Sequence, residues 1–375
     1  MKKLLCLALF LGFFSADFTP FLSEAEAQVG NKYYYGKRQG PHNHRWVWTK
    51  RKRYYSVGLT LGAINYFGDI TPQQNFLSTD IEFTRVGIGI DIQKRIRPQW
   101  SWELSLNYGR LMAADSLSAG TSGDNQFRYI RNLHFRNDVF SAAFMLQFDL
   151  IAREKMNTEF YDRSNQFVPY IVGGVGVVFH DPQAKTPERA YDGSAPQWEP
   201  GEWVSLQPLG TEGQGRTDPE TGQIIDDRYS KVQIAFPVGF GVRKKLGPRW
   251  DISVEFNYYF FLTDYLDDVS QSYVDPGIFT SDDPSEQDYL AQALHDRSQP
   301  YNTARLNGVT DYVPPLTTYT GQDGEVYNSY LGFGNDQFPD NIRGNVRDND
   351  VFMVTGFTLR YIIPREGVRC PIRFR

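Results

Sequence analysis

Apolar and polar residues alternate with a period of two through the stretch 85–110. Val86, Ile88, Ile90 and Ile92 fall on one face and Gly87, Gly89, Asp91 and Gln93 on the other. After Arg97-Pro98-Gln99 the pattern resumes, with Trp100, Trp102, Leu104, Leu106 and Tyr108 against Ser101, Glu103, Ser105, Asn107 and Gly109. Successive side chains of a strand point to opposite faces, so this stretch predicts a hairpin with one greasy and one polar face. A soluble sandwich would turn the greasy face to a second sheet, a transmembrane barrel to lipid.

Six further segments fit the same template, at about 54–66, 138–151, 168–179, 231–244, 250–263 and 351–363. The segment 168–179, VPYIVGGVGVVF, is apolar on both faces and rich in glycine, which leaves its register the least defined. Each segment reaches the roughly 9 to 11 residues that a tilted strand needs to cross a bilayer, whereas strands of soluble sandwiches run nearer 5 or 6. Connections are long after the first, third, fifth and seventh strands and short at Arg97-Pro98-Gln99 and at 245–249, the turn containing Gly247, Pro248 and Arg249. Only the charged connection between the fourth and fifth departs from that rhythm. The pattern predicts an all-β fold, an eight-stranded antiparallel up-and-down transmembrane β-barrel with long extracellular loops and short periplasmic turns. An even number of strands then leaves both termini in the periplasm. The long loops fall at about 180–230 and 264–350; the second is too polar to bury much core, and an ordered cap or docking surface is expected.

Composition supports this and adds an address. Lys2, Lys3, the apolar run Leu4–Phe14 and Ala25-Glu26-Ala27 read as an export signal over residues 1–27, with Cys6 discarded along with it. A basic periplasmic arm follows at 28–53, then the barrel at 54–363 and a periplasmic tail at 364–375. Aromatics make up 15% of the chain and glycines number 33, the profile of barrels that carry aromatic girdles. Charge is unevenly spread, with eight Lys or Arg and no acid between Gln28 and Phe67 but sixteen acids and four Arg between Thr263 and Asp350. Opposite signs at opposite ends suit two sides of a membrane and argue against a nucleic-acid partner.

With the apolar faces on lipid, Asp91, Glu103, Asp149, Arg243, Glu255 and Arg360 point into a lumen that eight strands leave only wide enough for side chains. Buried charges must be paired, so Arg243 and Arg360 are expected against Glu103 and Glu255, closing the lumen to a wide pore. Signals for catalysis and for metal are weak. His42-Asn43-His44 offers two ligands without a third, His180 at the rim has no nucleophile motif, and Asp264, Asp267 and Asp268 lack the glycine and spacing of a calcium loop. No catalytic residue, metal or cofactor is therefore expected. Cys370 is the single thiol of the mature chain, in the tail VRCPIRFR, and an odd cysteine in an oxidising compartment suggests an intermolecular disulfide.

INYFGDI at Ile64–Ile70, NLHFRNDVF at Asn132–Phe140, PYIVGGVGVVFHDPQA at Pro169–Ala184, PLGTEGQG at Pro208–Gly215 and TDYLDDVSQSYVDP at Thr263–Pro276 together resemble the PorG-like outer-membrane proteins of Bacteroidota. The most specific matches are Thr211, Glu212, Gly213, Gln214 and Gly215, and Asp264, Tyr265, Asp267 and Asp268. The resemblance implies a small non-enzymatic barrel of the type IX protein secretion and gliding machinery, anchoring a periplasmic ring built from a PorK-like lipoprotein and a PorN-like partner. On that reading the two short turns and Cys370 are candidate ring contacts, and the outer loops meet other secretion components. The acidic segment 279–350 and the basic arm 31–53 depart from the family pattern. Two other classes remain: a transport or receptor barrel for a small ligand, which needs a hydrated open lumen, and a lipid-modifying enzyme, which needs a rim Ser and His within hydrogen-bond reach.

Overall fold

A computed structural model describes residues 54–70, 81–151, 167–218, 221–280, 284–299, 301, 303–338, 341–346 and 349–363. The export signal, the basic arm with His42 and His44, and the tail with Cys370 lie outside the described residues. Among those described, eight strands close on themselves: β1 (Tyr55–Phe67), β2 (Arg85–Arg95), β3 (Trp100–Ala114), β4 (His134–Asp149), β5 (Val168–Phe179), β8 (Val232–Lys245), β9 (Trp250–Phe261) and β12 (Val351–Ile363). Each pairs antiparallel with the next, and β12 returns to β1 from Tyr55↔Ile363 to Phe67↔Val351, which removes both sheet edges.

The period of two decides which way each residue faces. Leu59, Leu61, Val86, Ile88, Phe240 and Phe357 stand outward and exposed, a belt of apolar side chains that only lipid would cover. At the short-turn end the belt gives way to aromatic and basic groups: Trp100 packs on Phe148 at 4.9 Å, Trp250 on Tyr361 at 5.0 Å, and Lys94 sits 4.7 Å over the Tyr55 ring. Amphipathic rings and snorkelling lysines favour the headgroup layer. Inward positions alternate bulky with small because the interior is narrow. A Cβ at Gly58 would strike Asp91 and one at Gly241 would strike Tyr170, so these glycines make the room that the lumen side chains fill.

β4 begins at His134 rather than near Asp138 and so rises past the belt. Its extension pairs with β6 (Pro182–Lys185), which pairs with β7 (Trp203–Ser205), forming a flap that continues the barrel wall. The long connections form a folded cap. The segment expected to bury little core instead contains a helix, Glu286–His295, opened by a Ser285–Asp288 capping box, and a hairpin of β10 (Leu316–Thr320) with β11 (Val326–Tyr330). Leu290 and Leu294 of the helix pack with Trp198, Leu209, Ile278 and Phe279, and a second apolar cluster gathers Ile130, Tyr273, Leu306, Tyr330 and Phe333. Below them Leu266 and Val269 join Tyr66, Leu111, Phe135 and Phe352 in closing the long-loop end of the lumen.

Candidate functional site

Two linked groups hold most of the lumen charges, and Asp251 is buried on the inward face of β9 below Ser253 and Glu255. Arg360, on β12, donates from Nη2 to Asp91 at 2.8 Å and to Glu103 at 2.8 Å, while its Nε reaches Asp91 at 3.0 Å. One layer nearer the short turns, Asp149 receives Arg243 at 2.6 Å and Arg95 at 2.7 Å. Gln93 joins the groups, donating to Glu103 at 3.0 Å and to Gln147 at 2.5 Å, and Gln147 donates to Asp149 at 2.7 Å. The pairing differs from the sequence expectation, because Arg243 meets Asp149 and neither Glu103 nor Glu255. Register is the cause: Gly241 lies opposite Glu255 while Arg243 lies opposite Ser253, which sets Arg243 in the lower layer. Glu255 is held by neutral donors, the Tyr170 hydroxyl at 2.7 Å and the Asn257 amide.

Arg95 was absent from the expected network. It shares the inward face of Asp91 and Gln93, and that alternation was its available signal, masked by its place beside the turn. Between the charged layers and the cap, a cavity of about 20 Å³ lined by Thr60, Asn107, Glu255 and Thr358 has room for about one water.

Turns at the short end carry little of this. In the first, Arg97 is exposed, Pro98 gives its carbonyl to Arg95, and the Gln99 carbonyl accepts the Asp149 N–H at 2.8 Å. In the second, Gly247 is half-buried, Pro248 and Arg249 are exposed, and Arg249 donates to the Tyr361 hydroxyl at 3.3 Å.

At the other end the two motif loops interlock. Thr211 donates to Asp268 at 2.5 Å, and Glu212 accepts the backbone N–H of Ser270 at 3.0 Å and of Gln271 at 3.2 Å. Tyr229 donates to the second Asp268 oxygen at 2.6 Å. Gly210, Gly213 and Gly215 all hold positive φ, which coils the first loop tightly, and Asp268 itself sits at φ 68 in the second. Gln214 is buried and its side-chain oxygen accepts the Glu212 N–H at 3.0 Å, while Tyr265 stacks on Tyr229 at 4.9 Å.

Two arginines tie the remaining loops to this junction. Arg343 donates to Glu212 at 2.7 Å, to the Asp268 carbonyl at 2.8 Å and to the His295 carbonyl at 3.1 Å. Arg131 donates to Asp115 at 2.7 Å, to the Arg343 carbonyl at 2.5 Å and to the Asp69 carbonyl at 2.9 Å. His295 sets its Nδ1 2.7 Å from the Thr211 carbonyl and its Nε2 3.1 Å from the Val274 carbonyl, and burial, with Arg343 nearby, lowers its pKa to about 3.

Under the junction lies a group of acids. The Tyr66 hydroxyl stands 2.6 Å from Asp267 and 2.6 Å from Asp350, and Asp350 also accepts the Leu266 N–H at 2.8 Å. One hydroxyl proton serves one carboxylate, so the second contact requires a protonated carboxyl donating back to the tyrosine oxygen. Burial raises Asp267 and Asp350 well above the ordinary carboxylate range, with added repulsion from Asp350 on Asp267 and from Asp264 on Asp350. Burial with Asp69 and Asp267 nearby raises Asp264 to about 9, and burial raises Asp268 to about 6 against the pull of Arg343. Among the described residues no three His, Cys, Asp or Glu side chains are arranged to hold a metal ion. His180 faces the Ser230 carbonyl at 3.1 Å and the Asn137 amide at 3.5 Å, with no serine hydroxyl as partner among the described residues, and burial lowers its pKa to about 4.

Residues 46–194 match a family model described as a domain of unknown function (DUF6089). No curated protein matches the chain. Among solved structures the chain is similar to Neisserial surface protein A, at 8% identity and TM-score 0.31 over 82% of this chain and 96% of that one. It is also similar to the outer membrane protein OprG of Pseudomonas aeruginosa, at 8% identity and TM-score 0.30 over 83% of this chain and 97% of that one. A third is Ail of Yersinia pestis, solved with the heparin analogue sucrose octasulfate, at 9% identity and TM-score 0.27 over 82% and 97%.

Proposed function

We propose that this eight-stranded barrel is a non-enzymatic component of the type IX protein secretion and gliding machinery. It would sit in the outer membrane, exported by its signal peptide, with both termini in the periplasm. There it would anchor a periplasmic ring of a PorK-like lipoprotein and its PorN-like partner. One observation carries the reading beyond the sequence resemblance: side chains fill the lumen from the Asp149 layer to Leu266, so the work of the molecule falls to its two ends and not to its interior. The interlocked Thr211–Gly215 and Asp264–Ser270 loops support it further, since the residues most specific to the resemblance build one rigid junction. A small-ligand conduit is the weaker reading, for the lumen cavity has room for about one water.

Affinity purification of the tagged chain from gently solubilised envelopes tests the proposal. A periplasmic ring lipoprotein should co-purify, and deletion of the chain should abolish export of secreted cargo. Purification without any periplasmic partner, with export intact in the deletion strain, would refute it.

A further inference from the structure

Above the apolar belt, Arg136 on the outward face of β4, Lys185 on β6 and Arg297 of the cap form no ion pair among the described residues. Phe140 and Phe144 stand outward within the belt, and Phe179 of β5 packs on Phe140 at 6.3 Å near its upper edge. Arg136 lies on the same face four residues along, roughly 13 Å at strand rise. Between belt and Arg136 the charges are matched: Arg110 holds Asp138 at 2.6 Å and Lys231 holds Asp181 at 2.8 Å.

Beyond those pairs the matching stops. The Arg136 guanidinium lies 4.2 Å over the Trp203 ring and its Nε donates to Gln183 at 2.9 Å, leaving Nη1 and Nη2 without a partner among the described residues. Lys185 Nζ stands 5.5 Å from the same ring. Arg297 donates to the Lys185 carbonyl at 2.9 Å, which brings a third cation to the flap. No carboxylate among the described residues forms an ion pair with Arg136, Lys185 or Arg297. His134, edge-on to Trp203 at 5.9 Å, accepts the Lys185 N–H on Nε2 at 2.9 Å and is therefore neutral.

We propose that Arg136, Lys185 and Arg297, gathered around Trp203, bind the phosphate of a phosphorylated glycolipid in the outer leaflet. Several features select this ligand. The cluster sits at headgroup height on the lipid side of the wall, and unpaired guanidinium edges suit a phosphate oxygen pair. The assignment rests on the long-loop end facing outward, part of the reading above. It does not depend on a secretion role.

The test uses the full chain in a neutral detergent, titrated with a phosphorylated glucosamine glycolipid. The same glycolipid after dephosphorylation, phosphatidylglycerol and inorganic phosphate serve as comparison probes, and heat-modifiable gel migration reports the fold. The phosphorylated glycolipid should bind at least about tenfold more tightly than its dephosphorylated form, the worth of one charge-assisted contact. Combined R136Q, K185Q and R297Q should abolish that preference, and K185Q alone, which removes no hydrogen bond of the fold, should weaken binding several-fold. R110Q, whose charge is already matched, should leave binding unchanged. Equal binding of the dephosphorylated form, an unchanged K185Q, tighter binding of phosphatidylglycerol, or competition by inorganic phosphate at glycolipid concentrations would each overturn the proposal. Ring co-purification is read separately, so failure of one account leaves the other standing.

Discussion

Arg360 holds two buried carboxylates at once, and its removal leaves Asp91 and Glu103 side by side without an ion-pair partner among the described residues. Breaking a buried pair from one side costs about 3–5 kcal/mol. Arg360→Met should therefore lower the midpoint of the heat-modifiable gel transition steeply, and D91N with E103Q in the same background should recover part of the loss. Tyr66 is the corresponding residue in the cap. Tyr66→Phe removes the hydroxyl between Asp267 and Asp350, at a cost of about 1–3 kcal/mol, and should appear as faster protease cleavage of the cap. Protonation sets the sign of the pH response. Asp264 near 9, with Asp267 and Asp350 also raised, means that the folded cap keeps protons the unfolded chain gives up above about pH 4. Their contribution is complete below that value and is lost as pH rises toward 9. Protease protection of the cap should fall between pH 6 and pH 9, and Asp264→Asn should flatten part of that slope.

Among the elements, the motif loops and the strands were legible to different degrees. Gly210 sits at φ 60, and a Cβ there would collide with the Gln214 carbonyl, so Gly210→Ala should loosen the junction by at least the 1–2 kcal/mol of a left-handed non-glycine residue. Limited proteolysis should then cut the cap while gel migration of the barrel holds. Strands such as β2 and β3 were readable because lipid on one side and a polar lumen on the other enforce a strict period of two. Register was not readable, because alternation says which way Arg243 faces but not which strand residue lies opposite. The pairing with Asp149 follows from strand offsets that no local pattern records. Apolar residues of the cap, such as Trp198, Leu209 and Phe279, come from separate loops with no common period, which is why 264–350 read as a polar excursion and proved to have a core. Thr211–Gly215 and Asp264–Asp268 stood out as motifs, but their mutual contact was invisible, because it spans 57 residues between Thr211 and Asp268.

The molecule as a whole is a barrel that is filled rather than open. Among the described residues three arginines (Arg95, Arg243, Arg360) and five carboxylates (Asp91, Glu103, Asp149, Asp251, Glu255) occupy the lower and middle lumen, an apolar layer with Leu266 closes the top, and four long connections lock above it through Arg131 and Arg343. A molecule built this way presents two faces around a filled interior, which is what the proposed anchoring role requires. Single-channel recording of the purified full chain in planar bilayers at neutral pH tests that most directly. The account predicts no ion conductance above the lipid baseline for the wild type, whereas stable, reproducible channel openings from the intact barrel would contradict it.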